Sequence, residues 1–344
     1  MMKVHTSKVS DYEEITLEND CGLLLKLDSL GASIREVRVP NKQGESVTVT
    51  LCPADIEKFR NEYHGKTVGR TAGRIQNAEF SIGARRAVLE KNNFKTDNLH
   101  GGKGALHSRV FGCELMPDTD YTDVVFSYNS PDGECGYFGN VSLKVTYRVY
   151  ERKNSFRIIF DGTTDEPTLL NLTNHVYWNL SGNLSSDVKD HGLYINSTTM
   201  GELNERLIIQ KIVPNAREFD FTDGHEIGKF INSDAVQKYT RGYDHPFKLD
   251  THSIEDVAAK LSSAQSGITL NVHTTYPWVV FYSDSQPIVG REVNCGKLDK
   301  QYFAACLECQ YHPDGIHACP DNCGVLTPDK PYHEEILYTF ETAK

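Results

Sequence analysis

The sequence predicts an all-β protein, a large antiparallel β-sandwich, from three observations. Apolar residues recur with period two along most of the chain, clusters of Gly, Asn, Asp and Pro separate the runs, and no long amphipathic helices alternate with them. The first pattern is clearest in VSLKVTYRVY. There Val141, Leu143, Val145, Tyr147 and Val149 share one parity, and Ser142, Lys144, Thr146 and Arg148 share the other. LLLKLDSLGASIREVRVP near the start, FRIIF, GITLNVHTTYPWVVFY and EEILYTF near the end also read as strands. Two stretches read as short helices, DIEKFRN over 55–61, which is close to a turn in length, and SIEDVAAKLSS over 253–263. Without alternating helices a doubly wound parallel sheet or a (β/α)8 barrel is not expected. Antiparallel sheets instead bury one face and leave the other partly wet. No linker, repeat or low-complexity tract divides the chain, so residues 1–344 are expected to form a single domain.

Composition narrows the partners. The hydrophobic fraction of 39% and charged fraction of 24% are ordinary for a globular chain. Asp and Glu outnumber Lys and Arg by 47 to 36, a formal charge of -11, and no basic cluster interrupts the excess. A nucleic-acid partner is therefore not expected, whereas a neutral, hydroxyl-rich ligand meets no repulsion. MMKVHTSKVSDYEEITLEND holds no apolar run, and no segment is long enough to span a bilayer. The expectation is no membrane partner and a cytoplasmic location. Nine cysteines at irregular spacing fit free thiols in a reducing compartment. Cys306 and Cys309 form a CxxC near Cys319 and Cys323, but no second CxxC or His-x(3–5)-His unit completes a zinc site. No metal and no cofactor are expected. GGKGALHS, residues 101–108, lacks the Gly-Lys-Ser/Thr of a phosphate loop and reads as a tight loop presenting His100.

A few polar residues sit where a structural role explains them poorly. In LTNHVYWNLSG, Leu172, Val176, Trp178 and Leu180 fall on one parity and Thr173, His175, Tyr177 and Asn179 on the other. His175 is thus either an incidental residue on a wet face or a proton-transfer group, which an ordinary pKa of about 6.5 would suit. Glu308 lies inside the apolar, Cys-rich strand YFAACLECQY, where a carboxylate is costly unless paired or used. Its parity partners Ala304, Cys306 and Gln310 are small or polar and leave room for a ligand. The alternatives are a salt bridge to arginine or a general base with a raised pKa. GKTVGRTAGRIQN sets Arg70 and Arg74 among glycines, either as rigid donor forks or as sheet-edge residues. RGYDHPF offers Asp244 and His245 with Tyr243 and Phe247, and NLHGG offers His100. Acids, donors and aromatic faces together suit a polyhydroxylated ring. No Gly-x-Ser-x-Gly or activated cysteine signature appears, which favours proton shuttling over covalent catalysis.

Eight segments in order, LGASIREVRVPNKQGE, NEYHGKTVGRTAGRI, DNLHGGKGALHSRVFG, DGECGYFGNVSLKVTYRV, LLNLTNHVYWNLSG, RGYDHPF, TTYPWVVFYS and CLECQYHPD, resemble the aldose 1-epimerases, or galactose mutarotases, over nearly the full length. The resemblance implies the supersandwich of that family, free of metal, with a sugar cleft across one sheet. It implies interconversion of the α and β anomers of a free hexose, galactose or glucose; a monomer or weak homodimer is expected. Glu308 then corresponds to the base at the anomeric hydroxyl and His175 to the acid at the ring oxygen, and the two are expected to face each other across the cleft at a separation that admits a pyranose ring. The working state would have Glu308 ionised and His175 protonated, with an optimum near neutrality. Arg74, His100 and Asp244 correspond to sugar-holding positions, with Tyr177 and Asn179 beside the acid. The chain departs from the family at Gly73, where Asn is usual, at Val280, where Gln is usual, and at Trp178, where Phe is usual. Losing two amides would loosen sugar recognition. A hexose-phosphate epimerase would need more Lys and Arg, a non-catalytic sugar-binding module would not keep both His175 and Glu308, and a glycosidase would need paired carboxylates.

Overall fold

A computed structural model describes residues 2–251, 253–319 and 323–343. Its largest sheet has nine strands in the order Gly112–Pro117, Tyr121–Ser130, Val141–Tyr150, Ser155–Thr164, Tyr332–Thr342, Ile268–Thr274, Ala259–Ser262, Gly192–Ile195 and His225–Glu226. Every pairing in it is antiparallel. The parity of VSLKVTYRVY is realised: Val141, Leu143, Val145, Tyr147 and Val149 are buried, and Ser142 and Lys144 face water. Five consecutive strands between Lys3 and Thr48 make a second antiparallel sheet. Leu25, Leu27, Ile34, Val37 and Val39 of this sheet join Phe126, Tyr147, Ile158, Leu270, Ile336 and Tyr338 of the large one in a single buried cluster. The all-β, sheet-on-sheet architecture follows from that shared core.

A third sheet carries the functional residues. Its strands run in the order Ile209–Pro214, Thr199–Leu203, Asp244–Lys248, Trp278–Tyr282 and Cys306–Gln310. Register places Pro246, Val280 and Glu308 in one row across three strands, on the same face. Phe247, Val279, Phe281, Leu307 and Cys309 point the other way into the core.

Two sequence expectations fail here. DIEKFRN forms turns rather than a helix. SIEDVAAKLSS does not form a helix either, because Ala259–Ser262 is a strand between Gly192–Ile195 and Ile268–Thr274. Ala259 and Leu261 are buried with Lys260 exposed between them, a period-two pattern that cross-strand pairing favours over the helical propensity of this Ala- and Lys-containing segment. A helix that the sequence did not announce spans Asp234–Thr240, capped by the Ser233 hydroxyl accepting from the Val236 N–H.

Candidate active site

LTNHVYWNLSG is not one two-faced strand. Thr173–Asn174 pairs with Thr67–Val68, Tyr177–Trp178 pairs with Thr50–Leu51, and all residues from Asn171 to Gly182 are buried. The expected wet face is covered, since the turn at residues 63–66 lies over it. His175 N–H donates to the Lys66 carbonyl at 2.9 Å, and the Gly65 N–H donates to the His175 carbonyl at 2.8 Å. Only glycine fits at 65: its φ is +72°, and a Cβ there would lie 1.9 Å from the Ile34 carbonyl oxygen. The turn thereby seats Tyr63 against the imidazole.

A cleft of about 290 Å³ opens above the third sheet. Small-molecule sites commonly occupy ~300–1,000 Å³, so this one suits a compact ligand. His175, Glu308, Arg74, His100 and Asp244 line it together, although they are scattered over more than two hundred positions. His175 Nε2 lies 3.5 Å from Glu308 Oε1, with the two side chains 6% and 5% exposed. The pair therefore stands in near contact rather than apart by the width of a sugar ring. Two proton-transfer groups serving oxygens on one carbon need only be neighbours. Arg74 Nη2 reaches Asp244 Oδ2 at 3.4 Å, and its Nε donates to Asn93 Oδ1 at 3.3 Å.

Burial governs the electrostatics. It pushes the Glu308 carboxyl up to about 8, helped by the Asp244 charge and opposed by Arg74. The same loss of water pulls His175 down to about 4, against the Asp244 charge. Taken one by one, both groups favour their neutral forms, the reverse of the ion pair expected from sequence. Total protonation is unaffected by which partner holds the proton: between those limits the pair carries one proton.

His100 has its own assignment. Its Nδ1 accepts from the Gly73 N–H at 3.2 Å, and burial keeps the ring neutral. A neutral imidazole with its one lone pair engaged carries its proton on Nε2 and offers the cleft a donor. This bears on metal binding, because His100, His175 and Glu308 bring ligand atoms within 4.8 Å of one another. A His2Glu set is a familiar zinc arrangement, but His100 has no lone pair left for an ion, so the donor set does not fit one. Cys306 and Cys309, three apart on one strand, project to opposite faces and cannot share a metal. No disulfide joins the cysteines among the described residues.

Other expected site residues divide. Tyr177 lines the cleft, as do Gly73 and Val280. Asn179 does not: its amide donates to the Ser186 and Phe303 carbonyls and its Oδ1 accepts from Ser181, which makes it a fully buried strut. Arg70 is likewise structural, donating to Ser130 and to the carbonyls of Ser130, Pro131 and Phe138. Tyr243 and Phe247 lie in the core, since their parity is opposite to that of Asp244. The cleft's aromatic faces come instead from Tyr63, Tyr177 and Tyr282. Gln310 was legible only as a parity partner of Glu308. It is fully buried at the cleft floor, and neither amide atom finds a partner among the described residues.

Residues 13–339 match the family model described as Aldose 1-epimerase. The chain is 31% identical over 340 residues to the aldose 1-epimerase of Escherichia coli, covering 96% of this chain and 95% of that protein. It is 29% identical over 335 residues to the galactose mutarotase of Rattus norvegicus, covering 96% and 94%. Among solved structures, the galactose 1-epimerase of Lactobacillus acidophilus superposes with a TM-score of 0.86 at 26% identity, covering 100% of this chain and 99% of that one. The aldose epimerase homologue from C. elegans gives 0.84 at 27% identity, with both chains fully covered.

Proposed function

Because this chain belongs to the aldose 1-epimerase family, we propose that its cleft interconverts the anomers of a free hexose, galactose or glucose, with Glu308 as base and His175 as acid. The protein is an aldose 1-epimerase, an isomerase. The observation that carries the assignment of roles is the approach of His175 Nε2 to Glu308 Oε1, 3.5 Å apart at the floor of one cleft. When the sugar binds, its anomeric hydroxyl meets the Glu308 carboxylate and its ring oxygen meets protonated His175. The singly protonated pair supplies that arrangement without taking a proton from water. Glu308 removes the O1 proton as His175 protonates O5, the C1–O5 bond breaks, and an aldehyde forms at C1. Rotation about C1–C2 presents the other carbonyl face. The proton on Glu308 then returns to O1 while His175 recovers its own from O5, and the opposite anomer results with nothing consumed.

Arg74, Asp244 and the His100 N–H hold the hydroxyls in this reading, with Tyr177 as an apolar wall. Arg74 is the one Lys or Arg among the described residues lining the cleft, and it already faces Asp244. A hexose phosphate therefore finds no counter-charge, and the preserved acid and base argue against a binding module. The main core cluster gathers residues from Ile15 to Phe340, which supports action as a single domain. No described helix is long and apolar enough to cross a membrane; the cytoplasmic setting is proposed from nine cysteines at irregular spacing. Polarimetry of freshly dissolved α-galactose and α-glucose tests the reading: purified protein should speed the approach to anomeric equilibrium above the buffer rate. An unchanged rate with every hexose tried would reject it.

A further inference from the structure

A proton-transfer histidine is normally aimed by a hydrogen bond from its second ring nitrogen. His175 lacks that device, because Nδ1 is buried with no hydrogen-bond partner among the described residues. Rings hold it instead. The imidazole packs nearly parallel to Tyr63, centroids 5.9 Å apart at 12°, and to Tyr177, 4.9 Å apart at 10°. Tyr177 is in turn stacked on His64 at 4.0 Å and 15°, the tightest stack of the series.

His64 is itself held from behind. Arg291 Nη2 lies 2.9 Å from His64 Nε2. A guanidinium only donates, so Nε2 accepts and the His64 ring is neutral with its proton on Nδ1. It cannot exchange protons with the site through Nε2. Arg291 is 1% exposed and paired with Asp299, which is 0% exposed. A buried ion pair is a weak source of stability, yet this one fixes a ring two stacking contacts from the proposed acid. Tyr63 and His64 are also adjacent in sequence, on the turn that hydrogen-bonds the His175 backbone in both directions.

We propose that His64, tethered by Arg291, is a positioning residue whose ring, acting through Tyr177, holds the His175 imidazole toward Glu308 and the sugar ring oxygen. The inference rests on His175 being the proton donor of the proposed reaction. Two substitutions separate the ring from the tether. His64→Gln keeps an acceptor for Arg291 but removes the ring, and His64→Phe keeps a ring without the acceptor. With folding checked by circular dichroism and thermal midpoint, His64→Gln should lower kcat for mutarotation about 10- to 100-fold, the scale seen when partners that orient a metal-bound histidine are lost, while KM stays nearly unchanged. His64→Phe should come within a few-fold of wild type. Wild-type kcat in the Gln variant, a loss expressed in KM alone, or a Phe variant as slow as the Gln variant would each overturn the proposal. Wild-type protein without catalysed mutarotation would instead remove the functional reading beneath it.

Discussion

His175 and Glu308 form a buried pair with Nε2 and Oε1 3.5 Å apart, and at that distance they titrate as one unit. With His175 pulled down to about 4 and Glu308 pushed up to about 8 by burial, the pair keeps a single proton between those limits. That is the protonation the reaction needs. The expected kcat/KM profile is a broad bell. It falls below about 4, where both groups are protonated, and above about 8, where both have lost their protons. Polarimetry, with spontaneous mutarotation subtracted at each pH, measures it. A profile flat through both limits would count against the pair.

Asp244 tunes both limbs in the same direction. After burial, its negative charge is the next influence on Glu308 and on His175, and it raises each. Asp244→Asn should therefore move both limbs of the profile toward acid, besides weakening KM through the lost sugar contact. Opposite movement of the two limbs, or none, would contradict the electrostatic assignment.

Replacing Glu308 with Gln keeps the shape of the side chain and removes its basic oxygen. Turnover should fall by about 10²- to 10⁴-fold, the usual range for a lost general acid–base group. Sugar binding followed by calorimetry should largely survive. Rapid turnover in this variant would end the assignment of the base.

Gly73 and Val280 predict looser hexose discrimination than in a relative carrying amides at both positions. Val280 faces the cleft directly opposite Glu308 in register. Gly73 has φ +72°, the left-handed region that asparagine tolerates best after glycine, and a Cβ there would lie 3.1 Å from the Pro313 Cβ. Gly73→Asn is therefore feasible with a small shift of Pro313. Combined with Val280→Gln, it should sharpen the difference between galactose and glucose and make turnover more sensitive to removal of single hydroxyls. Mutarotation of both sugars and their deoxy analogues would reveal it. Identical preferences before and after would mean that the two departures are silent.

Much of the site was readable because a carboxylate in an apolar strand is conspicuous. Glu308 stood out in YFAACLECQY for that reason; of its small or polar parity partners Gln310 lines the cleft, whereas Ala304 and Cys306 pack into a buried cluster. Tyr63 and His64 were not readable as site residues. They lie in a turn, where side-chain direction depends on the path of the backbone and not on a repeat. Asn179 misled because it shares parity with His175 and Tyr177, but parity lapses where strands are two residues long and the chain bends between them. Its amide was claimed by the carbonyls of Ser186 and Phe303.

The sequence by itself determined most of the long strands, the sheet-on-sheet core and the chemical types gathered for proton transfer, because period two and the cost of burying charge are local properties of a chain. Tertiary structure decided which groups meet. Hydrogen-bonded register put Pro246, Val280 and Glu308 in one row, and the turn at Gly65 laid Tyr63 against His175. It also decided protonation. A pKa shift requires knowing how much water has been excluded and which charges stand nearby, and for His175 and Glu308 both depend on segments far away in the chain.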